Sequence, residues 1–427
     1  MKHLIRFFLT LLIFSLTLLP SLPFPSARAQ QGVCGMPFQP VATPLTELGE
    51  NTYTRMDGQV TSFTGGLYPD GSNTRPPAHE AAGMEIASQV VPLNLDGQPD
   101  PNGHIVIISV GMSNVLAEWF PFIDLTRHNP QVNPRLFFIN GAQGGQTAEK
   151  WVNPDAPTWS RVDEELARYD YSPEQVQVAW VKQTLTRGGA FPAKAQQLQA
   201  DLEAIAQNLK IHFPNIKIAY FSSRTRSYTY FRGLSPEPLA YETGFAVKWL
   251  IEKQINGDPA LNFDPQQGEV RAPYLSWGPY LWIDGNNPRL DGRVWLAEDM
   301  TEDCTHPSET GSTKVAEMLL EFFLNDTVAA SWFRADTAEV SVATATLPVL
   351  LTATPSETPP VMPTSTEMVP TLSEQTALVE PVVTTTPSDP VAPAAAAAPV
   401  PIAGYAGVAV LFLCAGLAVG WLVFRKK

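Results

Sequence analysis

The chain has 427 residues, with 28 Lys and Arg against 42 Asp and Glu, a formal charge of −14. Of its 40 prolines, 12 fall between Pro348 and Pro401, in a stretch with no Gly, no aromatic residue and neither Lys nor Arg. That distribution excludes a uniformly globular chain, and the acid excess excludes nucleic acid as a partner, since such a surface repels phosphate backbones.

Met1 to Ala29 joins Lys2 and Arg6 to an apolar run from Phe7 to Leu19 and ends in Ala27-Arg28-Ala29. This pattern predicts a secretory signal peptide, residues 1–29, cut before Gln30. From residue 30 to 333 the composition is that of one folded domain, close to the upper size for a single core. Within it, Ile105 to Val110, Leu136 to Ile139, Val176 to Val181 and Ile216 to Phe221 read as buried strands. Between the last two, Ala195, Leu198, Leu202, Ile205, Ala206 and Leu209 share one helix face. Val315, Met318, Leu319, Phe322 and Phe323 repeat that spacing near the domain's end. Strand, helix, strand with near-continuous apolar strands predicts an α/β fold with a parallel sheet flanked by helices.

Residues 334–400 are dominated by Thr, Pro, Ala and Val and read as a disordered linker, an extended stalk. Residues 401–424 follow as a membrane span. The uncharged run Ile402 to Phe424 is long enough to cross a hydrocarbon core of about 30 Å. Arg425-Lys426-Lys427 then forms a basic cytoplasmic tail, residues 425–427, by the positive-inside rule. Signal and tail hold 6 of the 28 basic residues and none of the acids, so the exported part carries 22 − 42 = −20. Localisation is therefore expected at a cell membrane, with the N-terminal domain outside. Cys414 lies in the span, which leaves Cys34 and Cys304 outside, either bonded to each other or present as two buried thiols. Metal-ligand spacing is absent, and no metal or cofactor is expected.

In parallel sheets the chemistry sits beyond the carboxyl ends of the strands. After the first strand comes Gly111-Met112-Ser113-Asn114, and after the second Asn140-Gly141-Ala142-Gln143-Gly144-Gly145-Gln146-Thr147. The third is followed by Lys182-Gln183, and Asp303-Cys304-Thr305-His306 stands before the last helix. A serine hydroxyl becomes a nucleophile when a base takes its proton and a carboxylate orients that base. Ser113, His306 and Asp303 supply the three groups. His79 and His128 are also candidate bases, but only His306 has an acid at a local spacing suited to orienting it. Asp299 and Glu302 stand near as alternative acids. Backbone N–H groups at Gly144-Gly145 and the Gln183 carboxamide are candidate donors to an oxyanion.

Gly-Met-Ser-Asn after one strand, the Gly-rich block after the next, an amide at the end of the third and a late Asp-x-x-His resemble the SGNH/GDSL hydrolase superfamily, over Ile105 to Phe323. The resemblance implies a flavodoxin-like three-layer α/β/α sandwich. It also implies Ser113 as nucleophile, His306 as base with Asp303 orienting it, and an oxyanion hole of Ser113 N–H, Gly145 N–H and Gln183. The first block is similar to the Gly-Gln-Ser-Asn variants of the carbohydrate-esterase branch, which points to sugar esters. The third block departs from Gly-x-Asn-Asp, since Gln183 is one methylene longer than Asn.

Asn114, Arg224 and Trp277 are read as substrate-binding residues. Arg226 and Tyr228 lie at the same end of the sheet, and Trp277 belongs to the aromatic run Tyr274 to Trp282, which is either a strand with one core face or a sugar-stacking platform. The expected activity is that of a membrane-anchored extracellular serine esterase acting on an acylated glycan or other small ester. The alternative is a glycan-binding module on the same scaffold with degraded chemistry.

Overall fold

A short antiparallel hairpin, β1 (Thr52–Thr54) and β2 (Val60–Thr64), precedes the main sheet. The apolar runs then become its strands: β3 (Ile105–Gly111), β4 (Leu136–Asn140), β5 (Val176–Lys182), β6 (Ile218–Phe221) and β7 (Tyr274–Trp277). The structure, a computed structural model, describes Cys34, residues 39–231 and residues 233–335. The predicted signal peptide, nearly all of the 334–400 linker, the span at 401–424 and the basic tail lie outside the described residues. Among the described residues no helix is long and apolar enough to cross a membrane.

All five strands of the main sheet run parallel, in the order β4-β3-β5-β6-β7. This is the doubly wound order in which the chain reverses direction beside its first sheet strand, so the crevice for chemistry opens at the carboxyl ends of β3 and β5. Side chains alternate across the sheet into two apolar layers. Ile107, Trp180 and Tyr220 face the helices Ser113–Arg127 and Glu309–Asn325, where Trp119, Phe122, Val315 and Phe323 meet them. Ile108, Val181 and Phe221 face the helices Pro157–Arg168, Ala193–His212 and Leu239–Ile255. Because both faces are covered, every residue of β3, β5, β6 and β7 is buried, which is why these strands read as mostly apolar runs rather than strict alternation.

The aromatic run from Tyr274 differs from expectation. Only Tyr274–Trp277 is strand, and both its faces are packed. Ser276 Oγ accepts from Arg75 Nε at 3.2 Å and Nη2 at 2.9 Å, and Tyr280 OH accepts from Leu45 N at 3.0 Å, so N-terminal residues cover this edge.

Candidate active site

Ser113 is the first residue of its helix, reached through a turn that only glycine permits at its start. A Cβ on Gly111 would lie 2.3 Å from Val115 Cγ2 and 2.9 Å from Lys182 O. Met112 is extended (φ −97°, ψ −168°), and Ser113 opens the helix with its hydroxyl half-buried. Its N–H is one of the unsatisfied donors at the positive end of a helix.

The partner loop is tied on several sides. Met300 and Pro307 form an antiparallel bridge, Thr301 N donates to His306 O at 2.8 Å, and Ser308 N donates to Asp299 O at 2.8 Å. Asp303 Oδ1 accepts from the backbone N–H of Thr305 and of His306, both at 2.9 Å, and from Thr301 Oγ1 at 2.9 Å. Asp303 Oδ2 bonds to His306 Nδ1, and His306 Nε2 lies 2.7 Å from Ser113 Oγ. With Asp303 ionised, the consistent tautomer has Nδ1–H donating to the carboxylate and Nε2 accepting from the serine. Partial burial pushes the Asp303 carboxyl up. The His306 N–H, the His306 ring, the Thr305 N–H and the Thr301 hydroxyl outweigh that and hold it at about 2. Cys304 is disulfide-bonded to Cys34, and its carbonyl accepts from Tyr228 N at 2.9 Å.

The loop after β4 docks on the same turn, with Gln143 N donating to Gly111 O at 3.0 Å. Gly145 has φ +74°, which glycine adopts without strain, and it is exposed, as is Gly144. Gln183 is buried. Its Nε2 donates to Gln146 O at 3.2 Å, while its Oε1 has no partner among the described residues. One N–H of this amide is thus spent on holding the Gly-rich loop.

Three expected substrate contacts are placed elsewhere. Asn114 is only 1% exposed, and its Nδ2 donates to Thr305 O at 3.0 Å, so it holds the histidine loop and does not face a ligand. Arg224 is 2% exposed, below the surface, its charge disfavoured by burial and favoured by Glu118 and Glu237. Trp277 is 2% exposed and donates through Nε1 to Leu67 O at 2.5 Å, at the end of the edge strand β7, three strands away from β3. It packs the core and is not a stacking platform. Arg226 pairs with Asp284 and donates to Gln39 O at 2.5 Å, and Tyr228 is likewise buried. Of the other candidate bases, His79 is buried in a stack on Tyr274 with Nε2 2.9 Å from Leu275 O, and burial pulls it down to about 4. His128 is exposed at the far end of the serine helix. Asp299 bonds to Lys314 at 2.6 Å and not to His306.

One feature of the site was not expected. Lys182, the last residue of β5, is fully buried, with Nζ 2.5 Å from both carboxylate oxygens of Glu118. Burial lowers it to about 8, Arg224 adding to this and Glu118 opposing. Glu118 lies on the helix that Ser113 opens, so this pair pins that helix to the neighbouring strand. A lysine directly after a buried strand was the available signal.

No known family's sequence profile matches the chain, and no curated protein matches it. Among solved structures it is similar to a carbohydrate esterase family 3 protein from Talaromyces cellulolyticus, with 8% identity over 50% of this chain and 93% of that one, TM-score 0.30. It is similar to the C-terminal catalytic domain of peptidoglycan O-acetyltransferase A from Streptococcus pneumoniae, with 9% identity over 55% and 99%, TM-score 0.29. A third is the periplasmic domain of a lipopolysaccharide acetyltransferase from Salmonella ser. Paratyphi A, with 13% identity over 57% and 95%, TM-score 0.30. At these identities and scores the weight rests on the chain's own topology and site. The chain's own sheet order, β4-β3-β5-β6-β7 with helices on both faces, gives a doubly wound parallel α/β fold.

Proposed function

We propose that the chain is an extracellular, membrane-anchored serine esterase that deacylates carbohydrate esters through Ser113, His306 and Asp303. The observation that carries this reading is the 2.7 Å contact between Ser113 Oγ and His306 Nε2, with the opposite ring nitrogen bonded to Asp303. In the proposed cycle His306 Nε2 takes the hydroxyl proton as Ser113 Oγ bonds to the acyl carbon. The carbonyl oxygen becomes an oxyanion facing the N–H groups of Ser113 and Gly145. When the C–O bond to the sugar breaks, the proton passes from His306 to the departing oxygen and leaves an acyl-serine. Water then attacks, giving its proton to His306, and collapse frees the carboxylic acid and restores the serine. The export signal at 1–29 and the apolar run at 401–424 support the anchored, outward placement, and the Gly-Met-Ser-Asn block supports a sugar ester.

A second reading, a glycan-binding module without turnover, is favoured by Gln183, whose amide is partly spent on Gln146 O. One experiment separates the two. Ser113→Ala should lower hydrolysis of p-nitrophenyl acetate by at least about 1,000-fold with the fold retained, and an organophosphonate should label Ser113. Unchanged turnover in the variant would rule out the serine mechanism, and absent labelling with intact glycan binding would favour the module.

A further inference from the structure

The outer side of the edge strand β4 carries a groove. Two cavities, of about 780 and 720 Å³, adjoin there, sharing Ile123, Arg127, Phe137 and Phe138 in their linings. It starts at Gln143, Gly144 and Gln146, in the loop docked on the Ser113 turn, and passes between the helices Ser113–Arg127 and Pro157–Arg168 to Asn129 and Pro134. Along β4, from Leu136 to Asn140, its lining runs about 13 Å at roughly 3.3 Å per residue, room for more than one sugar ring.

The walls pair flat apolar surface with cationic groups. Phe120 is 59% exposed and Tyr169 is 50% exposed, and both line the same cavity. Arg168 pairs with Glu165 at 3.1 Å, and Asp124 sits 3.7 Å from His128. Arg127 and Arg161 are exposed and have no ion pair among the described residues. In an exported stretch with a charge of −20, two uncommitted guanidinium groups along one groove mark a local reversal of sign. Guanidinium groups bind carboxylates through paired N–H donors, and aromatic faces cover the apolar side of a ring.

We propose that this groove binds an acidic polysaccharide, a polymer of carboxylate-bearing sugars, and presents its acyl groups to Ser113. This rests on the esterase reading. A neutral glycan would leave both arginines without a counter-charge, whereas a uronate chain supplies one carboxylate per unit.

The test uses the full-length protein carrying Ser113→Ala, so that no turnover intervenes, and measures binding of polygalacturonate and of its fully methyl-esterified form. The parent should bind polygalacturonate more tightly than the uncharged ester, with an affinity that falls as salt is raised. Adding Arg127→Glu and Arg161→Glu, both surface changes, should weaken polygalacturonate binding by about tenfold or more and remove the salt dependence. Equal affinity in parent and variant, or equal affinity for the two polymers, would overturn the proposal. Hydrolysis by the unmodified serine is a separate readout, so a failed esterase reading and a failed groove are told apart.

Discussion

Asn114 Nδ2 donates to Thr305 O across 3.0 Å, so the residue beside the serine hydroxyl grips the residue beside the imidazole. The bond is buried and joins two segments 191 residues apart. Asn114→Ala should lower kcat on p-nitrophenyl acetate by about 10- to 100-fold with KM nearly unchanged, because a displaced base costs the transition state more than binding. A variant that melts earlier yet keeps kcat would show that Asn114 only packs the loop.

Asp303 should matter through its charge. Asp303→Asn keeps the shape and loses the carboxylate, and kcat should fall by about 100- to 10,000-fold. The folded value of about 2 lies below the ordinary 3.8, so this group's stabilising contribution is present above about pH 4 and is lost as pH falls toward 2. Urea denaturation at pH 4 and pH 2.5 should therefore show a smaller acid-induced loss in Asp303→Asn than in the parent. Equal losses would mean that the carboxylate does not contribute to acid stability.

Removing one partner of the buried pair should cost more than removing both. Lys182→Met leaves the Glu118 carboxylate buried without its cation, a loss of about 3–5 kcal/mol, while Lys182→Met with Glu118→Leu should recover much of it. Denaturant midpoints of the two single variants and the double variant provide the cycle, and additive losses would contradict direct pairing.

Glu242 supplies a pH dependence of opposite sign. Burial raises its carboxyl to about 7, with Arg55 and the Tyr53 hydroxyl opposing. Tyr53 OH donates to Glu242 Oε1 at 3.2 Å, joining β1 to the helix Leu239–Ile255. A raised folded value gives stability that is whole below about pH 4.5 and is lost as pH climbs through 7. Glu242→Gln should flatten the fall in melting temperature between pH 4.5 and 8, and an unaltered slope would assign that fall to other groups.

The strand cores were legible because burial on both faces leaves a local mark, a mostly apolar run, and β3 and β5 each extend only one residue past the expected end. Ser113 was legible because it follows a buried strand directly, and Asp303 and His306 because of their local Asp-x-x-His spacing; the fold brings the three side chains together. Arg224, Asn114 and Trp277 misled for the opposite reason. A polar or aromatic residue near a strand end looks the same in sequence whether it faces solvent or a buried partner, and here Glu118, Thr305 and Leu67 lie more than 100 positions away from each of them in turn. The Lys182 to Glu118 pair and the β4 groove are likewise tertiary, made by helices whose sequence spacing records only their apolar sides.

The bridge between Cys34 and Cys304 spans 270 positions and ends between the acid and the base. The crosslink ties the loop of Asp303 and His306 covalently to a segment near the start of the chain, so the loop's place does not depend on hydrogen bonds alone.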